Sequence, residues 1–199
     1  MAKVRVDKLK VLTHAAAVTP FLYLAWDYWH GGLTANPIRE IQLRTGKDAI
    51  VFLILALACT PARVYLGLNQ LMRLRRTLGL YGFAYATLHF LNFVGLDYGF
   101  NARLLYEATV QKPFALLGLA TLLTLTPLAI TSTNGWVKRM GRNWKRLHRL
   151  FYVVVPMASA HFFWARLYKL NIVEPLIYLI IVAFLLTLRL SFRRGRPVA

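Results

Sequence analysis

Residues 144–164 read WKRLHRLFYVVVPMASAHFFW. The stretch opens on a basic cluster and turns into an apolar run. A basic rim leading into an apolar run is how a helix enters a bilayer from the cytoplasmic face. Two histidines, His148 and His161, ride on it thirteen positions apart. A lipid-facing helix has no use for imidazole, so the stretch poses a question of fold and one of chemistry.

The rest of the chain answers the first. Of its 199 residues, 58% are hydrophobic, more than a soluble domain of this length can hide. Crossing about 30 Å of hydrocarbon takes roughly 20 apolar residues. Spans of that kind are expected at 10–29, 49–66, 77–96, 113–132, 148–167 and 171–190. The fold class expected is an all-α integral membrane protein, a six-transmembrane-helix bundle forming one domain over 1–199. Basic residues before the first span and no small-residue cleavage site mark that span as retained.

The net charge of +18 is distributed as topology. Lys3, Arg5, Lys8 and Lys10 precede the first span, and Arg63, Arg73, Arg75 and Arg76 surround the link between the second and third. Lys138, Arg139, Arg142, Lys145, Arg146 and Arg149 lie between the fourth and fifth; Arg189, Arg193, Arg194 and Arg196 close the chain. The opposite side carries Arg39, Arg44, Lys47, Arg103, Lys112, Arg166 and Lys169, with every acid except Asp7. Loop Lys/Arg bias puts both termini in the cytoplasm. The basic side is suited to anionic membrane lipid rather than nucleic acid.

On the acidic side, NPIREIQLRTG (36–46) reads as a short helix, with Asn36 as N-cap, Pro37 first and Gly46 as stop. The loop NARLLYEATVQK (101–112) is amphipathic enough to lie on the membrane surface. Trp26, Tyr28, Trp29, Tyr98, Trp164 and Tyr168 suit an outer aromatic belt, and Trp136 and Trp144 an inner one. The lone cysteine, Cys59, gives neither disulfide nor thiolate metal site and reads as packing.

The chemical signal lies in the histidines. Counting from Arg76 and Arg149 as inner rims, His89 is thirteen residues in and His161 twelve, roughly 20 and 18 Å deep. Two imidazoles at one depth on two helices is what a bis-histidine heme needs. Small residues before each, Ala84 and Ala86, then Ala158 to Ala160, leave room for a flat ring. The alternative is that each histidine bonds a neighbouring carbonyl or hydroxyl, Thr87 or Ser159 for instance. No acid is expected at that level. His148 sits at the inner rim, where Arg75 and Arg76 stand in the place of a partner. His14 shares that leaflet, so His148 and His14 are candidates for an inner heme or a quinone or flavin site. His30 reads as interfacial.

With these residues in view, RRTLGLYGFAYATLHF (75–90) and LHRLFYVVVPMASAHFFW (147–164) resemble the heme helices of the ferric-reductase-like transmembrane superfamily. HGGLTANPIREIQLRTG, CTPAR, LAITS and GRNWKRLHRL together resemble the MsrQ (YedZ) family, over nearly the whole chain. The resemblance implies a cytochrome b subunit of the bacterial inner membrane. It would pass electrons from the quinone pool to MsrP, a periplasmic molybdopterin enzyme that repairs methionine sulfoxide. Heme b is the implied cofactor, with one heme or two, and FMN is implied beside it. Carried over, His89 and His161 are the iron ligands, the chain's metal-binding pair, and His148 is the third important histidine.

No GxGxxG-type nucleotide motif is found, so the donor is expected to be separate, a quinol or a cytosolic flavin reductase. Arg75, Arg76 and Arg142 are candidates for flavin-phosphate contacts. No catalytic residue is assigned, since sulfoxide reduction is expected on the partner, docked over 30–48 and 97–112. Asp27 and Glu174 fall near helix ends, which argues against a transporter. A non-redox membrane anchor or assembly subunit is the remaining alternative.

Overall fold

A computed structural model describes residues 7–167 and 172–194 of the chain. Lys3, Arg5, Tyr168, Lys169 and Arg196, named above, lie outside the described residues. Among those described there is no strand. The helices are α1 (Lys8–Trp29), α2 (Pro37–Leu66), α3 (Arg75–Leu91), α4 (Ala102–Gln111) and α5 (Pro113–Ile130). They continue as α6 (Asn134–Met140), α7 (Arg142–Leu147), α8 (Phe151–Leu167) and α9 (Val173–Arg194). Four segments are long and apolar enough to cross a membrane: Pro37–Leu66, Pro113–Ile130, Arg142–Leu167 and Val173–Ser191.

The start of α2 is as expected, and its continuation is not. The Asn36 side chain accepts the Arg39 N–H at 3.0 Å and Pro37 opens the helix. Gly46 does not stop it. The helix runs 30 residues to Leu66, roughly 45 Å and longer than the hydrocarbon is thick. It ends at Gly67, whose φ of +68° is the left-handed conformation that closes a helix C-terminus without side-chain strain. Gly46 is there for packing, as described below.

Helix α2 is the centre of the bundle because it is apolar on more than one face. One face carries Ala49, Phe52, Ala56 and Cys59, packed with Ala17 of α1 and Leu78 and Tyr85 of α3. Cys59 is buried there, its Sγ directed at the Leu55 carbonyl oxygen at 3.3 Å. The other face carries Ile50, Leu53, Ile54 and Leu57, packed with Leu125 of α5, Val154 and Val155 of α8 and Val182 of α9. Between membrane helices the drive is close packing rather than water exclusion. Gly82 provides it: a Cβ there would come within 2.8 Å of the Leu53 side chain.

Helix α1 is held to α3 through its own backbone. Pro20 interrupts the α1 ladder, and the Tyr85 hydroxyl enters the gap. It donates to the Ala17 carbonyl at 2.8 Å and accepts the Phe21 N–H at 3.1 Å. At the end of the bundle where α2 begins, Arg44 pairs with Asp27 and Glu40, each at 2.5 Å. Lys47 pairs with Glu174 of α9 at 2.6 Å. Asp27 and Glu174 are therefore tethers between helices. Trp26, Tyr28 and Trp29 at the end of α1 are exposed, as a belt at a lipid interface requires.

Two of the connections between spans are themselves helical. Asn101 caps α4, its side chain accepting from the Arg103 and Leu104 N–H groups, each at 3.1 Å. The basic segment before α8 folds as α6, α7 and a 3₁₀ turn over His148–Leu150. Helix α3 passes after Leu91 into a π-helical turn, Asn92–Asp97.

Candidate functional site

His89 lies in the last turn of α3 and His161 in the last turns of α8. Their ring centres stand 6.1 Å apart with planes at 82°. Both line a cavity of about 730 Å³ between α2, α3, α5 and α8.

Each ring is held in the same way. His89 Nδ1 lies 2.9 Å from the Gln42 carbonyl oxygen on α2, and His161 Nδ1 lies 2.7 Å from the Phe114 carbonyl oxygen on α5. A carbonyl oxygen only accepts, so Nδ1 carries the proton on both rings and Nε2 carries the lone pair. Four residues after each carbonyl stands a glycine: Gly46 on α2, Gly118 on α5. A Cβ on Gly46 would lie 2.8 Å from His89 Nδ1, and one on Gly118 would lie 2.7 Å from His161 Cε1. Residue i+4 on a helix covers the face of residue i, so only a glycine there lets an imidazole reach the carbonyl. Two unrelated helices thus form matching sockets. The carbonyl bonds weighed above as the alternative to a ligand role are thus both present, while Thr87 and Ser159 each turn back onto their own helices.

The His89 ring has further support. Gln42 Nε2 lies 3.2 Å from His89 Nε2, and Asn92, at the start of the π turn, donates to Gln42 Oε1. Asn92 also donates to the Ile38 carbonyl at 3.2 Å. Gln42 therefore covers the lone pair that a metal would use, and its flexible side chain must turn aside for one. Neither Gln42 nor Gly118 stood out in the sequence, and Gly46 did so only as a helix stop. The i, i+4 spacing of Gln42 with Gly46 and of Phe114 with Gly118 was the available signal. The absence of an acid at this depth was expected, and Asp48 overturns it. Because α2 begins at residue 37, Asp48 is half-buried only two residues beyond Gly46.

Two imidazoles with Nδ1 committed to backbone carbonyls and ring centres 6.1 Å apart suit one kind of metal group. No cluster of three or more metal-binding side chains occurs among the described residues, so a bare ion would lack its usual four ligands. A heme iron needs only two from the protein, because the macrocycle supplies the rest. Rings bonded to one iron at about 2 Å have centres roughly 6 Å apart, which is the separation here. The residues fit the group.

The inner candidates form a different environment. His148 Nε2 lies 3.0 Å from Thr131 Oγ1, and its ring stacks on Trp144 at 4.0 Å. Trp144 Nε1 donates to the Thr131 carbonyl at 2.9 Å. Arg75 donates to the Tyr152 hydroxyl at 2.6 Å and to Thr60 at 3.4 Å, and Arg76 to Asn134 at 2.8 Å. Arg142 is exposed. His14 is elsewhere, its Nδ1 2.8 Å from the Tyr81 hydroxyl at the α1–α3 contact. No hydrogen bond or ring contact joins His14 to His148 among the described residues. His30 stacks on Trp26 at 3.9 Å, at the exposed end of α1.

The chain is similar to known proteins. Residues 45–159 match the family described as "Ferric reductase like transmembrane component". The chain is 43% identical over 198 residues to the "Protein-methionine-sulfoxide reductase heme-binding subunit MsrQ" of Xanthomonas oryzae pv. oryzae (strain MAFF 311018). That match covers 94% of this chain and 89% of the relative. A protein of the same description from Xanthomonas campestris pv. campestris (strain 8004) is 42% identical, over 98% of this chain and 94% of its own. One from Caulobacter vibrioides is 44% identical, over 84% and 79%.

Proposed function

The chain belongs to the MsrQ family of ferric-reductase-like transmembrane proteins, and from that membership we propose that it is a cytochrome b subunit relaying electrons across the bacterial inner membrane. Its acceptor is the periplasmic molybdopterin reductase MsrP, which repairs methionine sulfoxide. The observation that carries this reading is the pair of matched sockets, which hold two imidazoles 6.1 Å apart.

Heme b, bound there, supplies a one-electron relay at a fixed depth. The work of the chain's own residues is to hold it. The Gln42 and Phe114 carbonyls fix the ring orientations and tautomers, and a hydrogen bond to the far ring nitrogen makes an imidazole a stronger ligand. Gly46 and Gly118 allow that contact. Ala158 and Ala86 leave the walls low beside the rings.

Helices α1 and α3 complete a six-span, single-domain bundle with both termini cytoplasmic. Electrons enter at the Arg-rich end, where His148, Trp144, Arg75, Arg76 and Arg142 offer stacking and cationic contacts to a quinol or flavin. A separate flavin reductase, or FMN bound there, serves the same end. His14 is at the same level on a different helix face. The acceptor docks at the opposite end, on the connection before α2 and on α4.

The absorption spectrum of the purified chain is the direct test. A Soret band that disappears in His89→Ala and in His161→Ala is the expected result. A colourless wild-type protein, or two variants that retain full heme, would leave the non-redox anchor as the better reading.

A further inference from the structure

The cavity is divided by the histidine pair into two unlike halves. On one side lie Leu53 and Leu125, each seven residues past its socket glycine, roughly 10 Å along the helix. That half is apolar. On the other side lie Arg39 and Arg166. Arg166 is five residues beyond His161 on α8, roughly 7–8 Å further out.

Arg166 is the unexplained residue there. Its Nε is buried and has no hydrogen-bond partner among the described residues. The guanidinium is over the Phe162 ring, 5.8 Å from its centre. Burying an N–H of a cation without an acceptor is costly, and native structures seldom tolerate it. Of the neighbouring cations on this rim, Lys47 pairs with Glu174 and Lys112 with the Tyr98 hydroxyl at 3.1 Å, while Arg39 is exposed rather than buried. The arrangement calls for a ligand with an apolar edge and an anionic edge, crossed near its middle by the two imidazoles.

Heme has that shape, an apolar macrocycle with two propionates along one edge. We propose that Arg166 is the carboxylate anchor of this cavity: it binds a propionate and so fixes which edge of the heme faces the α2–α4 end of the bundle. This rests on the heme reading given above. It also places the acidic edge nearest the surface proposed for the electron acceptor. The role of Arg166 is binding and orientation, through a planar donor fork that matches a carboxylate.

The test varies both partners of the contact. The full chain, freed of heme in detergent, is titrated with hemin and with hemin dimethyl ester, which differs only in its masked carboxylates. Wild type is expected to bind hemin about ten- to a hundredfold more tightly than the ester. Arg166→Gln should bind the two alike, losing about tenfold or more for hemin, and Arg166→Lys should recover part of the preference. In the hemin-loaded protein, Arg166→Gln should lower the midpoint potential, because a cation beside the ring favours the reduced state. A wild type indifferent to esterification overturns the proposal, and so does an Arg166→Gln protein that keeps the full preference. If Arg166→Gln does not fold, the ester comparison in wild type and the lysine variant decide. Failure of wild type to bind either compound overturns the heme reading and this inference with it.

Discussion

Helix α8 and the turn before it present one histidine at each end of the bundle, and the two rings are in opposite tautomeric states. His161 gives its Nδ1 proton to the Phe114 carbonyl and keeps the Nε2 lone pair. At the other end the Thr131 hydroxyl already donates to the Pro127 carbonyl at 2.6 Å. It can therefore only accept from His148, and the proton there is on Nε2. His161 faces a second imidazole; His148 stacks on an indole. The same residue type thus keeps an Nε2 lone pair at one end and donates from Nε2 at the other. The difference comes from what the neighbouring helices offer: a carbonyl opened by a glycine, or a hydroxyl with its own proton already committed.

The contrast is most exposed to loss of the outer pair. His89→Ala and His161→Ala should each abolish heme binding, measured as heme per protein by pyridine hemochrome. Each variant leaves one imidazole where the reading requires two. If either single variant kept a wild-type Soret band, the pair would not be the site.

A smaller effect is expected from the sockets. In Gly118→Ala the new methyl meets the His161 ring at 2.7 Å, and in Gly46→Ala it meets His89 at 2.8 Å. Overpacking of this kind costs about 1–3 kcal/mol, roughly five- to a hundredfold in heme affinity. The ring can escape only by leaving its carbonyl, so the low-spin EPR signature of the iron should change as well. Gly82→Ala is the control. Its methyl meets Leu53 rather than a histidine, at the same 2.8 Å. It should lower the melting temperature and leave the spectrum of the folded protein unchanged. If all three glycine variants behaved alike, the sockets would be ordinary helix packing.

Much of this was legible in the sequence, for reasons that can be named. Apolar runs gave the helices, because a bilayer demands length and composition above all. Depth counting from Arg76 and Arg149 singled out His89 and His161. The continuation of α2 was missed because Gly46 was weighed as a helix stop. A glycine inside a helix and a glycine ending one look alike in sequence, and only the imidazole opposite Gly46 distinguishes them. The same misreading hid Asp48 within the helix. Arg166 was legible as a charge in a loop-side position, but its orphaned Nε depends on a cavity that four helices form together.

His148 offers the finest test. His148→Ala removes the hydrogen bond to Thr131 and the stack on Trp144, and leaves α2, α3 and the outer sockets untouched. Heme per protein and Soret position should therefore stay at wild-type values. Reduction driven from the donor side, followed by stopped-flow with a quinol analogue or a flavin reductase, should slow by about three- to tenfold. That is the order expected for one hydrogen bond. Thr131→Val, which removes the acceptor and leaves the His148 stack on Trp144, should give the smaller part of that effect. Loss of half the heme in His148→Ala would break the comparison. It would mean that the inner imidazole exchanges its Nε2 proton for a metal, and that both ends of the bundle do the same chemistry by different local means.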